Sequence, residues 1–338
     1  MTDATKAHLS LLSAQIIYAL NYSIAKDLMP TFIGPAGLVF MRVSGACFLF
    51  WILSFFTEKE KVSKPHLKKF LMLAVFGVAC NQLCFIYGLH LSRPINSAII
   101  MTINPIVVTV FTLLVAKERF SILKVIGLAF GIGGALTLLL NNGKSFQINN
   151  QTALGDCFTL INACSWAIFV VIAKPYMQQY KTVTVMKWIF LFGLFLVFPF
   201  SINDLQNVDF NTFNFHAWFA ILFVIIGTTF LAYLLNTYAL KALSSSTVSA
   251  YIYLQPFLAI TFALLLGKDE LSVVKVFAGS LIITGVYLAG RKATKKTSKK
   301  NKLKKSENNF FLHDFYYLFV NSFGAKNFFS TNDCELTT

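Results

Sequence analysis

Apolar residues run along this chain in blocks of about 20, broken by short polar stretches, and that is the length a helix needs to cross the hydrocarbon core of a bilayer. Ten such blocks can be delimited, at 7–27, 35–57, 68–90, 94–116, 121–140, 153–175, 182–202, 215–240, 245–267 and 271–291. The predicted fold class is an all-α integral membrane protein of ten transmembrane helices. The first block is no cleaved leader, because no small-residue cleavage site closes it and Lys26 and Asp27 stand at its end. Polar residues inside the blocks recur every three or four positions. Asp156, Thr159, Asn162 and Trp166 share one face of the sixth helix. Similar faces hold Tyr18, Asn21 and Tyr22 in the first helix, and Gly77, Asn81 and Cys84 in the third. Thr229, Tyr233 and Asn236 mark the eighth helix, and Ser249 and Tyr253 the ninth.

The second half of the chain echoes the first at an offset of 151 residues. Tyr87 pairs with Tyr238, Pro105 with Pro256, Phe111 with Phe262, Lys117 with Lys268, Lys124 with Lys275 and Gly134 with Gly285. The prediction is one duplicated unit of five helices. An odd number of crossings turns the second unit upside down in the bilayer, the inverted-repeat plan of many secondary transporters.

Composition agrees with the pattern: 56% of residues are hydrophobic and 13% charged, which excludes a soluble domain. The net charge of +15 changes the picture only through its placement. With a cytoplasmic N-terminus, the inner side holds Lys6, Lys59, Lys61, Lys64, Lys68, Lys69, Lys117, Arg119, Lys124, Lys174, Lys181, Lys187 and Lys241. The outer side holds Lys26, Arg42, Arg93, Lys144, Lys268 and Lys275. This bias predicts both termini in the cytoplasm and a cytoplasmic-membrane location. Membrane lipid headgroups suffice as partners for the basic loops, and no nucleic acid is expected because apolar spans divide the charge. Five cysteines, Cys47, Cys80, Cys84, Cys157 and Cys164, lie within spans and Cys334 in the tail, with no C-x-x-C pair. Neither a metal nor a cofactor is expected.

Pro105 and Pro256 fall near the middle of their spans, where the missing N–H and the ring bend the helix and free a carbonyl one turn back. Each follows a side-chain amide, Asn104 and Gln255. A broken ladder at that depth is tolerated where it faces protein or a wet cavity. The expected substrate-binding set is therefore Tyr18, Asn21, Asn81, Asn104, Asn162, Trp166, Asn236, Tyr253 and Gln255. Each alone is more often interhelical glue than a substrate contact, but six helices with polar groups at depth exceed what glue requires. Arg42 and Lys187 carry two readings, snorkelling to the headgroups or attracting a charged group of the substrate. Asp156 is the candidate for charge coupling or gating, although the helix dipole alone favours an acid in that first turn.

The stretch 87–140 and its echo 238–290, with mid-helix prolines, Glu118 and Asp269 beyond those helices, glycine-bearing fifth and tenth helices, Gly155-Asp156 and Trp166, resembles two copies of the EamA domain of the drug/metabolite transporter superfamily. The likeness covers about residues 7–291. It implies repeats at 1–145 and 146–291 and transport of a small polar metabolite, such as an amino acid, by alternating access. A receptor or scaffold is the alternative reading. An enzyme is disfavoured, because no H-E-x-x-H, G-x-S-x-G or carboxylate pair stands at membrane depth. The glycines at 127, 131, 133, 134, 279, 285 and 290 serve close helix packing, within the chain or in a homodimer. Residues 292–338 form a Lys-rich cytoplasmic tail without a counterpart in the repeat, expected to be disordered, and residues 306–338 are expected to be dispensable for transport.

Overall fold

The computed structural model describes residues 2–29, 31–92, 94–115, 122–141, 152–265 and 272–290. Among these the fold is helical throughout, without a strand. The 142–151 loop, Arg93, Glu118, Asp269 and the 292–338 tail lie outside the described residues.

The helical runs follow the apolar blocks. They are α1 (Asp3–Leu28), α2 (Pro35–Phe55), α3 (Lys64–Leu91), α4 (Pro94–Met101 and Asn104–Val115), α5 (Ile122–Asn141) and α6 (Ala153–Gln179). After them come α7 (Thr182–Gln206), α8 (Phe215–Ala239), α9 (Ser245–Ala250, Tyr251–Tyr253 and Leu254–Leu265) and α10 (Val273–Gly290). Seven helices among the described residues are long and apolar enough to cross a membrane. The 26-residue α1 is not one of them. Gln15, Tyr18 and Asn21 lower its hydropathy, and these residues recur below for another reason.

Four helices are irregular, and the irregularities come in pairs. α3 widens into a π-helix at Val75–Ala79 and α8 does the same at Phe223–Leu231, which overlaps the first segment when shifted by the repeat offset. Widened turns release backbone carbonyls. Here Phe76 O accepts from Ser165 Oγ at 2.6 Å and Gly77 O from the Tyr233 hydroxyl at 2.9 Å, so neighbouring helices satisfy what the ladder gave up. α4 breaks at Thr102–Ile103 just before Pro105, and α9 tightens into a 3₁₀ turn at Tyr251–Tyr253 just before Pro256. The expected kinks are thus a break in one half and a tightened turn in the other.

The outer surface is apolar as well as the core, and some polar side chains lie inside. Phe48, Leu114, Phe195, Phe277 and Ile283 are exposed, as a lipid-facing belt requires, while Gln15, Asn21, Arg42, Asn104 and Asn236 are buried. Without a hydrophobic drive between helices in lipid, close backbone approach must hold them, and small residues allow it. α5 and α10 meet in this way. A Cβ added at Gly285 would stand 2.5 Å from Gly131 N, and one added at Gly127 would stand 2.7 Å from Ala289 N. These glycines therefore work within the chain, and Gly133 has open space around it.

Contacts between the halves are mutual. α3 packs on α6 and α8 on α1; α4 packs on α6 and α9 on α1; α2 packs on α8 and α7 on α3. α2 with α7, α4 with α9 and α5 with α10 complete the set. Helix ends are tied across the same interfaces. Asp204 Oδ2 at the end of α7 accepts from the backbone N–H groups of Ala36 and Gly37 at 2.8 and 3.1 Å, capping α2 from outside its own sequence. At the opposite end, Glu60 accepts from Lys181 N at 2.9 Å and Glu58 pairs with the Lys181 ammonium, which holds the Glu58 carboxyl below its usual range.

Candidate functional site

The polar stripes of five helices, with Arg42 of α2 and Met101 of α4, converge on one cavity. Its lining comes from α1 (Gln15, Tyr18, Asn21), α2 (Arg42), α3 (Asn81, Gln82, Phe85), α4 (Met101), α6 (Asn162, Trp166), α8 (Tyr233, Asn236) and α9 (Val248, Ile252, Gln255). The space is about 690 Å³ with its open mouth included.

The two irregular proline helices contribute in matching fashion. The residue four before Pro105 is Met101 and the residue four before Pro256 is Ile252, and both line the cavity. These are the positions whose carbonyls a proline deprives of their intrahelical partner.

A polar frame holds the walls. Asn162 Nδ2 donates to Asn81 O at 2.7 Å, joining α6 to α3, and the Tyr233 hydroxyl reaches Asn81 Oδ1 at 3.0 Å from α8. Gln255 Nε2 donates to Gln15 Oε1 at 2.8 Å, joining α9 to α1. The Trp166 ring stands edge-on to Tyr233, with centroids 5.7 Å apart. Arg42 is 3% exposed and its Nε donates to Thr229 Oγ1 at 2.8 Å; Thr229 in turn donates to Val224 O within the π-helical stretch of α8. The frame leaves groups over. Arg42 Nη1, Asn21 Oδ1, Asn162 Oδ1 and both ends of the Gln82 amide are buried without a hydrogen bond of good geometry, although Gln82 lies beside Tyr233.

Eight of the twelve binding and charge residues expected from the sequence therefore meet at the cavity: Tyr18, Asn21, Arg42, Asn81, Asn162, Trp166, Asn236 and Gln255. Four lie outside its lining. Asn104 turns away because its short side chain, at the restart of α4, reaches Ala163 O on α6 at 3.0 Å, whereas Gln255 is one methylene longer and spans to α1. Tyr253 is buried against Gly131 of α5. Lys187 stacks its ammonium 5.1 Å from the Trp51 ring centroid, outside the lining that holds Arg42. Asp156 accepts from Ser92 Oγ at 2.5 Å and faces Asn96 Nδ2 at 3.3 Å, a tie between helix ends. Gln15, Gln82, Phe85, Met101, Tyr233, Val248 and Ile252 complete the lining beyond the expected set. Gln15 was within reach of pattern reading, three residues before Tyr18 on the same face. No group of three or more metal-ligating side chains is gathered among the described residues.

The model of the EamA-like transporter family matches residues 5–140 and again 153–291. The chain is 23% identical over 286 residues to the uncharacterized transporter YyaM of Bacillus subtilis (strain 168), covering 83% of this chain and 92% of that one. It is 24% identical over 294 residues to an uncharacterized transporter of Archaeoglobus fulgidus, covering 85% and 98%. A WAT1-related protein of Arabidopsis thaliana is 24% identical over 301 residues, covering 80% and 75%. In three dimensions the chain is similar to a solved crystal structure at TM-score 0.68 and 16% identity, covering 86% of this chain and 99% of that one, which bears on the fold alone.

Proposed function

The chain belongs to the EamA-like transporter family, a multi-pass membrane protein that handles a small-molecule substrate, and on that premise we propose that it is a secondary transporter working by alternating access. The transported solute is a small polar metabolite. Ten spans form two inverted five-helix repeats, 1–145 and 146–291, with both termini in the cytoplasm and the chain in the cytoplasmic membrane.

The observation that carries this reading is the cavity, lined from both halves and carrying side-chain amides and Arg42 among apolar groups, with Met101 and Ile252 at equivalent positions beside the broken helices. Paired π-helical stretches in α3 and α8, and mutual packing of the halves, support a rocking of one half against the other. Polarity buried this deep in a lipid-facing shell has a purpose when a solute replaces its water there.

The test is exchange in proteoliposomes. The full chain is reconstituted with a loaded mixture of small metabolites, and counterflow of each labelled member is followed against protein-free vesicles. Counterflow of at least one solute, inhibited by excess of the same unlabelled solute, is the expected result. Equal behaviour of loaded and empty-membrane vesicles for every solute would sink the transport reading.

A further inference from the structure

Among the described lining residues of the cavity, Arg42 is the charged one, and its Nη1 is buried without a hydrogen-bond partner. The geometry points to a substrate class: a monoanionic carboxylate whose charge docks on Arg42 while the remainder of the molecule is neutral. This rests on the transport reading above.

A guanidinium at 3% exposure inside an apolar shell is costly unless an opposite charge joins it. Its Nε is committed to the Thr229 hydroxyl, a neutral acceptor, and Nη1 is left without an acceptor. Thr229 is itself held by Val224 O, so the guanidinium is oriented from one side only, leaving the other for a ligand. Among the described residues, Asp156 is engaged with Ser92 and Asp204 with the start of α2. Charge stoichiometry then selects among ligands. One guanidinium balances one carboxylate, whereas a phosphate monoester brings about −1.5 to −2 and would leave negative charge unmatched in the cavity. An ammonium finds amides and rings there but no described carboxylate, which disfavours cations and zwitterions. Asn21 Oδ1, Asn162 Oδ1 and the Gln82 amide offer neutral hydrogen bonds to the rest of the solute, and Trp166, Phe85 and Ile252 offer it apolar surface.

The experiment titrates the purified full chain in detergent, by calorimetry and thermal shift. The probes are a set of small carboxylates, each beside its carboxamide, its primary amine, its α-amino acid and its phosphate monoester. Binding confined to carboxylates is expected, with affinity falling about tenfold or more in Arg42→Gln and only partly in Arg42→Lys. The idea is overturned if amines, amino acids, amides or phosphates bind as tightly as their carboxylates, if no carboxylate binds, or if Arg42→Gln binds carboxylates unchanged. The comparison across the panel on the unmutated protein decides even where Arg42→Gln fails to fold. The two readings fail separately: counterflow of a neutral or cationic solute would keep transport and remove the anion site, while tight carboxylate binding without exchange of any solute would do the reverse.

Discussion

Gln255 and Asn104 occupy the same place in the two repeats, each an amide before a mid-helix proline, yet only Gln255 reaches the cavity. One methylene decides it, because the longer amide spans to Gln15 and the shorter one is captured by Ala163 O. Their alanine variants should therefore separate. Gln255→Ala is expected to raise the KM of transport several-fold, up to about tenfold, in line with a lost neutral hydrogen bond of about 0.5–1.5 kcal/mol. Asn104→Ala should lower stability by about 1 kcal/mol and leave KM alone. Kinetics in proteoliposomes together with thermal unfolding in detergent check both, and a KM change in Asn104→Ala with none in Gln255→Ala would reverse the assignment.

At the scale of elements, the question is what holds helices together where lipid is as apolar as their side chains. α5 and α10 answer with backbone contact at Gly127, Gly131, Gly134 and Gly285. Gly285→Val should force the pair apart and cost about 1–3 kcal/mol of overpacking, read as a lower unfolding temperature on size-exclusion after heating. Gly133→Ala, facing open space, should be neutral or slightly stabilising, since Ala is the better helix former. If both variants behave alike, the glycine contact is not what fastens the two helices. The irregular stretches belong to this scale too. The π-helix in α3 carries no simple periodic signature, because it depends on Ser165 and Tyr233 arriving from other helices to take the released carbonyls.

For the whole molecule, the charge bias along the chain makes a topological prediction. A cysteine at Lys61, in a background freed of native cysteines, should react with an impermeant maleimide from the cytoplasmic side alone. One placed at Lys144 should react from the outside alone. Labelling with the two sides exchanged would turn the molecule over and place Asp204 and the start of α2 in the cytoplasm. The same measurement separates an odd from an even number of crossings between the two positions. An odd count there, together with two crossings before Lys61, is what inverted halves and the rocking motion proposed for transport require.

Apolar block length alone delimited the helices to within a few residues, and spacing of three and four picked out Tyr18, Asn21, Asn81, Asn162, Trp166 and Asn236 as sharing faces, because helix periodicity is local and lipid rewards an apolar outside wherever the chain goes. The duplication was legible for the same reason, as a fixed offset needs no folding to be seen. Which side a polar face turns to, and what it meets there, lay with the tertiary structure. Asn104, Tyr253, Lys187 and Asp156 fit the patterns as well as the cavity residues do, and each is drawn off by a partner from another helix or a loop: Ala163, Gly131, Trp51 and Ser92. Arg42 shows the converse, a charge near a span end that the sequence allows to snorkel and that Thr229, 187 positions away, holds in the interior. Long-range partners compete on distances of a few tenths of an ångström, and no local rule of spacing carries that information.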